Sequence, residues 1–563
     1  MMVLAAFFET IGIGLIVPFV SIVTNPTSIE EQYILSYLYN TIGFESSSTF
    51  IIFSAIVLLT VFLFKNSYLL LFNYLQYRII MNQEVKLSKS LFKEYLIKPY
   101  TFHLERNTST LLRNINGEVP RIYHGIILSS FQLLTESLII LFIFILLLIM
   151  SPIATITSSI LLGGSVLLFF GIFRKKIDSL GKEQQKVSAT TIQWVNQGLG
   201  ASKEIKVSGK ENFFIDSYAK QSMIKAKNSR YMNILEVVPR LFLETLLVSI
   251  VLISMLIIYL NGSDTTQLVS TMALFAMAAF RIMPSINRVV ALITTIKYSQ
   301  PSLEVVYEDL VRTQNATKLI ERSASSHKED VKYTKSIVLN NVSFKYPNQK
   351  DFTVKRVSLT IPIGQSVAFI GESGAGKTTI VDIILGLLAP QEGSVSIDDI
   401  NLEEQVALWQ KKIGYIPQSI FLSDDSIRGN IAFGVDPVDI DDEAVWRALE
   451  QAKLKEFVLS LPEKLNTSVG ERGVRLSGGQ RQRIGIARAL YHNPEIIFMD
   501  EATSALDNET EREIMRAIDG LKGDKTIIII AHRLSTIENC DTVFRISDGR
   551  LVGIEHKKGR KVI

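Results

Sequence analysis

Long apolar runs dominate the first half of this chain and set the strongest limit on its fold. Each run is about as long as the roughly 20 apolar residues that a helix needs to cross a bilayer. They occupy residues 2–24, 50–77, 122–150, 152–173, 236–260 and 266–292. A chain of 563 residues with 47% apolar residues is also too long and too apolar for one soluble domain. The pattern predicts an all-α spanning domain of six helices over residues 1–300.

The first apolar run also has to be weighed as a cleavable signal peptide. No Lys or Arg precedes it and no small-residue cleavage site follows it. Its length of about 23 residues is long for the apolar part of such a peptide. We therefore expect a retained spanning helix.

Basic residues lie on one side of the predicted spans. The loops between spans one and two, three and four, and five and six contain no Lys or Arg, whereas Arg78, Lys86, Arg174 and Lys175 flank the others. Loops rich in Lys and Arg stay on the cytosolic side. The chain is therefore predicted to be a multi-pass protein of the cytoplasmic membrane with both ends in the cytosol.

Two long connections separate spans two and three and spans four and five. Residues 78–121 and 174–236 contain few glycines or prolines, so we expect the spanning helices to continue beyond the bilayer. Short crossing segments are expected near residues 100–110 and 198–206. On the other side of the membrane, residues 32–44 have apolar and tyrosine side chains at helical spacing. This spacing suits a helix at the membrane surface, although a plain loop fits nearly as well.

The second half of the chain has the composition of a soluble domain. The charged, mixed segment 301–335 predicts a linker, and strand-like and helical segments over 336–563 predict an α/β domain. Cys540 is the only cysteine, so no disulfide can form within the chain. The net charge of +4 is small and dispersed, which argues against nucleic acid as a partner.

A phosphate-binding loop follows the strand-like segment 365–370. The sequence GESGAGKT at 371–378 has the spacing in which glycines let the backbone wrap phosphates at the N-terminus of a helix. Lys377 is predicted to bind the β- and γ-phosphates of ATP, and the Thr378 hydroxyl to ligate Mg²⁺. The other residues predicted to line the nucleotide are Gly371, Glu372, Ser373, Gly374, Ala375, Gly376 and Thr379.

Farther along the chain, the pentapeptide LSGGQ at 476–480 opens a helix and precedes an acidic strand end at 496–501. Together with the phosphate-binding loop, this order of motifs resembles the ATP-binding cassette (ABC) family in its bacterial exporter form, the type IV half-transporter. The resemblance covers essentially the whole chain. It implies a multidomain fold, an all-α six-helix transmembrane domain followed by an α/β P-loop nucleotide-binding domain, and an ATPase coupled to transport.

The resemblance also implies roles for residues outside the loop. Asp500 matches the carboxylate that holds Mg²⁺, and Glu501 matches the general base that polarises the attacking water. Residues 504–507, SALD, match the loop that crosses between domains. Three further residues match positions that contact adenine, the metal with its water, and the γ-phosphate: Tyr346, Gln418 and His532. The implied catalytic set is Glu501, His532, Gln418 and Lys377, and the implied metal set is Thr378, Gln418 and Asp500.

In this family the LSGGQ turn contacts the ATP bound by the opposite cassette. The residues that would do so here are Ser477, Gly478, Gly479 and Gln480. One chain holds one cassette, so two chains are required. Both halves of the site look intact, and a homodimer with two competent sites is the economical prediction.

The cargo has to be sought in the spans, where ionisable side chains are costly. Four cations lie within or near the apolar runs: Lys65, Arg240, Arg281 and Arg288. Arg281 and Arg288 are two helical turns apart and share one face. Such cations suit a phosphate or pyrophosphate, but pairing with Glu9, Glu136 and Glu244 is about equally compatible with the residues alone.

Three stretches, 8–19 (FETIGIGLIVPF), 238–244 (VPRLFLE) and 280–288 (FRIMPSINR), resemble bacterial flippases for lipid-linked oligosaccharides. In those proteins arginines matching Arg240, Arg281 and Arg288 belong to a basic belt proposed to hold the lipid pyrophosphate. Lys65 stands where they have another arginine.

The resemblance implies a homodimer that flips a polyprenyl-pyrophosphate-linked oligosaccharide among the membrane lipids. Export of another lipid, a peptide or a drug is the alternative. A regulator or channel is less favoured, because both parts of the hydrolytic site are intact.

Overall fold

The computed structural model describes residues 1–15, 18–19, 22–23, 26–31, 33–150, 152–260, 265–311, 332–501, 508–531, 537 and 540–557. Inside the described helices some side chains, including that of Arg281, lie outside this description. The chain divides into two compact units. One is Met1–Ile97 with Arg106–Gln314, and the other is Lys98–Glu105 with Asn315–Ile563.

Residues 1–311 are helical throughout most of their described part. The helices are α1 (Met2–Gly14), α2 (Ser28–Glu31), α3 (Tyr33–Ile42), α4 (Ser47–Ile97), α5 (Tyr100–Glu105), α6 (Thr108–Arg113), α7 (Val119–Ile122), α8 (Ser129–Met150), α9 (Pro152–Gly200), α10 (Ser202–Ser208), α11 (Glu211–Leu260) and α12 (Thr265–Val311). Of these, α5 belongs to the second compact unit.

The long helices extend well past the predicted spans. α4, α9, α11 and α12 contain 51, 49, 50 and 47 residues, about twice the roughly 20 residues that a bilayer requires. Among the described residues, two helical stretches are long and apolar enough to cross a membrane by length and composition: Ser47–Ile97 and Thr108–Ile145. Met2–Gly12 is a shorter apolar helix.

The short elements lie close to where the sequence predicts them. α5 and α10 fall in or overlap the expected crossing segments. The segment predicted to lie at the membrane surface forms α3, which has no buried residue. Its Tyr33 and Ile34 are 85% and 71% exposed, as a helix that rests on lipid would require.

Residues 108–150 form a helical stretch with two π-helical turns, Asn114–Glu118 and Tyr123–Leu128. Such turns are rare and occur often at functional sites. No pattern in the sequence predicted them.

A buried polar cluster joins the first π turn to the ends of two long helices. The Asn114 amide donates to the Tyr95 hydroxyl (3.0 Å) and to the Asp309 carboxylate (2.9 Å). Tyr95 donates to the same carboxylate at 2.6 Å, while Arg113 donates to the Asn114 side-chain oxygen and pairs with Glu118. Because buried polar groups are costly unless partnered, the cluster holds the ends of α4 and α12 in register.

The second unit is an α/β domain. Its strands are β1 (Ser336–Phe344), β2 (Val354–Pro362), β3 (Ser366–Ile370), β4 (Glu392–Ile397), β5 (Ile400–Asn401), β6 (Ile413–Ile416), β7 (Ile496–Asp500), β8 (Thr526–Ile530), β9 (Thr542–Ser547) and β10 (Arg550–His556). Its further helices are α13 (Lys377–Ile384), α14 (Leu402–Lys411), α15 (Ile427–Ile431), α16 (Asp442–Gln451), α17 (Lys455–Ser460), α18 (Gly478–Leu490) and α19 (Asn508–Asp519).

Two sheets build this domain. One has the strand order β2-β1-β4-β5 and is antiparallel. The other has the order β10-β9-β3-β8-β7-β6, and β3 and β7 both pair with β8 in parallel. The carboxyl ends of β3 and β7 therefore lie at the same edge of the sheet, which is where ligands bind in α/β folds.

Candidate functional site

The loop after β3 has a backbone that only glycine can adopt at two positions. Gly371 has φ +152° and Gly376 has φ +97°. A Cβ at Gly371 would lie 2.1 Å from the Ile546 carbonyl oxygen, and one at Gly376 would lie 2.9 Å from that of Thr353. The loop therefore packs closely against neighbouring backbone at these two glycines, and it leads into the N-terminus of α13.

The Lys377 side chain folds back over this loop. Its Nζ donates to the carbonyl oxygens of Gly371 (2.9 Å) and Glu372 (2.8 Å), and the residue is buried. Burial lowers the pKa of the ammonium, whereas the carboxylates of Glu501 and Asp500 raise it. The cation is thus held at the loop by two neutral acceptors and two nearby negative charges.

The acidic end of strand β7 lies close enough to Lys377 to interact with its charge. Asp500 ends β7 and is buried, while Glu501 follows it with φ +45°. A non-glycine residue in this left-handed region is uncommon and is often found at active sites. The Gln418 amide nitrogen donates to Glu501 Oε2 at 2.8 Å, so the fold brings together two side chains that the sequence separates by 83 positions.

Tyr346 and the threonines after Lys377 lie next to each other. The hydroxyls of Tyr346 and Thr379 are 3.1 Å apart, and the Tyr346 ring packs edge-on against Phe344 at 5.2 Å between centroids. Thr379 is buried and Thr378 is exposed. Tyr346 is therefore anchored beside the loop, and the Thr378 hydroxyl is accessible to a ligand.

The LSGGQ turn is built as a helix start. Ser477 is the N-cap of α18: its hydroxyl accepts from the Gln480 backbone N–H (3.2 Å), and the Gln480 side chain accepts from the Ser477 N–H (2.8 Å). This reciprocal cap fixes the turn. The backbone N–H groups at such a helix N-terminus favour an anion.

Two predicted elements of the cassette cannot be placed in this way. His532 and residues 504–507 lie outside the described residues.

The residues that are placed fit a magnesium nucleotide. The Thr378 hydroxyl, the Asp500 carboxylate and the Gln418 side-chain oxygen are hard oxygen donors, which Mg²⁺ prefers together with phosphate oxygens. No group of three His, Cys, Asp or Glu side chains that could hold a metal by itself occurs in the described part of the chain. Phosphate oxygens would have to complete the coordination.

Sequence reasoning missed Asp382, which lies on α13 one turn after Thr378. Burial, together with the negative charge of Asp500, raises the pKa of Asp382 from its ordinary 3.8 to about 6. The signal was available, because a carboxylate four residues after Thr378 on a helix shares its face. Asp382 was overlooked because the phosphate-binding motif ends at Thr378.

Asp382→Asn is expected to stabilise the nucleotide-free protein at neutral pH. Since the folded pKa lies above the ordinary value, the folded state binds more protons between pH 3.8 and about 6, and stability falls as pH rises through that window. We expect the substitution to raise the unfolding temperature of the cassette by about 2–4 °C at pH 7.5. Calorimetry should show this gain shrinking near pH 4, and an equal gain at both pH values would contradict the explanation.

In the spanning unit, two of the four predicted cations are ion-paired. Lys65 Nζ lies 3.0 Å from Glu9 Oε2, and Arg288 Nε lies 2.7 Å from Glu136 Oε1. The pairing alternative therefore holds for Lys65 and Arg288. Arg240 is exposed, and for Arg281 only its position in α12 is described.

Glu9, Glu136 and Arg288 line one cavity of about 480 Å³. Its other lining side chains are Leu69, Phe72, Asn73, Gln76, Gln132, Thr135, Ile139, Ala291 and Leu292. The cavity is thus bounded by α1, α4, α8 and α12. It combines amides and charges with an apolar wall, which suits an amphipathic ligand.

Both units of the chain match families of known proteins. Residues 14–283 match the family described as ABC transporter transmembrane region, and residues 354–504 match the family described as ABC transporter. The chain is 30% identical over 475 residues to the ATP-dependent lipid A-core flippase of Cupriavidus metallidurans, covering 83% of this chain and 78% of that protein. This chain belongs to the ABC transporter family. The lipid A-core flippase of Pseudoalteromonas translucida is 29% identical over 515 residues, covering 89% and 84%.

A solved bacterial Atm1-family ABC exporter with ATP bound has the same fold as this ABC transporter. The TM-score is 0.76 at 22% identity, with 98% of this chain and 95% of that chain covered. The predicted fold class, a helical transmembrane domain followed by an ABC cassette, is confirmed. The transporter thus carries a membrane domain and an ATP-binding cassette on one chain.

Proposed function

We propose that this transporter uses ATP to flip a phosphate-bearing glycolipid from the cytosolic to the outer leaflet of the cytoplasmic membrane. Its leading cargo is a polyprenyl-pyrophosphate-linked oligosaccharide. Arg288 carries the proposal, because its side chain is 57% exposed at the wall of a cavity within the spanning unit. An ionisable residue in a spanning helix marks a substrate path by default, and the planar guanidinium matches phosphate oxygens.

Arg240, Arg281 and Lys65 are proposed to extend this basic surface. Arg281 lies two turns before Arg288 on α12, and Arg240 is exposed on α11. Lys65 is the weakest member, because it is buried and already neutralised by Glu9. A lysine also lacks the bidentate geometry of arginine.

In the cassette, Lys377 would exchange the carbonyls of Gly371 and Glu372 for the β- and γ-phosphate oxygens. Thr378, Asp500 and Gln418 would hold Mg²⁺, which neutralises charge on the phosphates when it is bound. Glu501, oriented by Gln418, would accept a proton from the attacking water. Since phosphoryl transfer leaves little covalent chemistry to the protein, positioning and charge neutralisation supply most of the rate.

Two copies of the chain are proposed to share each ATP. The capped turn of Ser477–Gln480 presents backbone N–H groups at a helix N-terminus, which favour an anion, and its proposed ligand is the γ-phosphate held by Lys377 of a second copy. Tyr346 would stack on adenine and His532 would contact the γ-phosphate. With the orientation predicted from the basic loops, both cassettes of this homodimer would lie in the cytosol, where ATP is.

The names of the relatives favour a second candidate cargo. Several are called ATP-dependent lipid A-core flippases. Export of a peptide or drug has no comparable support, and a regulator or channel role fits poorly with the complete P-loop cradle.

Arg288→Ala and Arg281→Ala are expected to reduce flipping of a pyrophosphate-linked glycan at least about tenfold, because each removes a charge-assisted contact to phosphate. Flipping is measured in proteoliposomes, with ATP hydrolysis read in the same vesicles to report on folding. Arg174→Ala, an exposed arginine at the end of span four, is the matched control. Unchanged flipping by Arg288→Ala would show that Arg288 does not bind cargo and serves only as the structural partner of Glu136.

A further inference from the structure

The Arg288–Glu136 pair has one close contact and leaves the arginine side chain largely exposed. Arg288 contacts Glu136 through Nε alone, at 2.7 Å. One terminal nitrogen reaches the Ser285 hydroxyl at the outer limit of a hydrogen bond, 3.5 Å. The guanidinium therefore contacts the carboxylate through Nε, and the Arg288 side chain as a whole remains 57% exposed.

Glu136 is also incompletely satisfied. Its carboxylate interacts with the Ser285 hydroxyl as well as with Arg288, but its Oε2 atom is buried and has no hydrogen-bond partner among the described residues. A buried polar atom without a partner costs free energy. The pair is thus weaker than a bidentate arginine–carboxylate contact and easier to separate.

The neighbouring pair provides a contrast within the same unit. The Lys65 side chain is 9% exposed, and its ammonium lies 4.9 Å from the centre of the Phe62 ring as well as 3.0 Å from Glu9. Lys65 is enclosed and does not line the cavity, whereas Arg288 does. Both carboxylates, Glu9 and Glu136, line the cavity, but of the two paired cations only Arg288 does.

We infer that Glu136 is a displaceable counter-ion that occupies Arg288 until an anionic headgroup replaces it, and that it thereby sets the charge threshold for cargo. This inference rests on the proposed function, since it requires a phosphate-bearing cargo at Arg288. When a phosphodiester replaces the carboxylate, Arg288 exchanges one singly charged partner for another, so little binding free energy is gained. A pyrophosphate brings more charge and more acceptor oxygens, and it can engage the terminal nitrogens in a fork. Glu136 therefore favours pyrophosphate lipids over the single-charged phospholipids that surround the transporter.

The test is a binding assay on the full chain in nanodiscs with two probes, a radiolabelled prenyl pyrophosphate and phosphatidylglycerol as a competitor. In the wild type, phosphatidylglycerol should compete poorly. Glu136→Gln keeps the side-chain shape and an oxygen acceptor but removes the charge. It should tighten prenyl pyrophosphate binding about two- to fivefold, the range of a partly exposed ion pair, and make phosphatidylglycerol an effective competitor.

Two variants separate a counter-ion role from a structural one. Glu183→Gln neutralises an exposed carboxylate on α9, a helix that does not line the cavity, and should change neither affinity nor competition. The double variant Glu136→Gln with Arg288→Ala should lose the gain seen for Glu136→Gln, because the effect acts through Arg288.

The outcomes distinguish the two ideas. If prenyl pyrophosphate binds the wild type and Glu136→Gln with equal affinity and equal competition, the counter-ion inference is overturned while the proposed function stands. If the gain persists in the double variant, Glu136 acts on some other group and the inference also fails. If the probe binds none of these proteins, the proposed pyrophosphate cargo fails, together with the inference built on it.

Discussion

Glu501→Gln should abolish ATP turnover, lowering kcat by about 10³-fold, within the range expected for loss of a general base, while ATP still binds. The reason lies in what the side chain contacts. Glu501 accepts a hydrogen bond from Gln418 at 2.8 Å and has a left-handed backbone at the end of β7. The loop proposed to bind the phosphates is built from other residues, so its shape should survive the substitution.

Steady-state hydrolysis and equilibrium ATP binding on the same preparation measure this difference. Glu513→Gln, which neutralises an exposed carboxylate on α19, is the matched control and should hydrolyse ATP normally. Near-normal turnover by Glu501→Gln would remove Glu501 from its proposed role as base. A variant that no longer binds ATP would show instead that the side chain supports the loop.

Lys377→Met should reduce ATP affinity at least about 100-fold, since a charge-assisted contact to two phosphates is lost. Three consequences of the substitution act together. The phosphates lose their cation, the carbonyls of Gly371 and Glu372 lose their donor, and the charges of Asp500 and Glu501 lose the ammonium that lies near them. The two carboxylates would then repel the nucleotide more strongly.

Lys411→Met, an exposed lysine at the end of α14, is the control for loss of one positive charge. It should bind ATP with wild-type affinity. If Lys377→Met bound ATP as tightly as this control, the phosphates would have to be held elsewhere and the assignment of the loop would be wrong.

The cassette was the more predictable half, because phosphate chemistry fixes residue types at fixed spacings. Gly371 and Gly376 were predicted to let the backbone wrap the phosphates, and the structure shows carbonyl oxygens too close to either residue to admit a Cβ. The contact between Gln418 and Glu501 followed from no spacing. It depends on β6 pairing with β7 in parallel, a tertiary arrangement that a linear pattern does not encode.

The spanning unit was predictable as helices but not in its contacts. Apolar length indicated the helices, and Glu9 and Glu136 were identified as possible partners for the cations. Which carboxylate pairs with which cation depends on how α1 packs on α4 and how α8 packs on α12, so it became apparent only in three dimensions. The π turns before α8 were not predicted, although Pro120 lies between them, because a proline in an apolar run indicates a break or kink but not which turn will contain the extra residue.

Transport of a labelled polyprenyl-pyrophosphate-linked oligosaccharide across proteoliposomes that contain the purified chain tests the central claim most directly. We predict movement to the opposite leaflet that requires ATP and is absent with Glu501→Gln. A lipid A-core molecule, a peptide and a drug are offered in parallel under the same conditions. ATP-driven movement of any of these, without movement of the pyrophosphate-linked glycan, would contradict the proposed cargo.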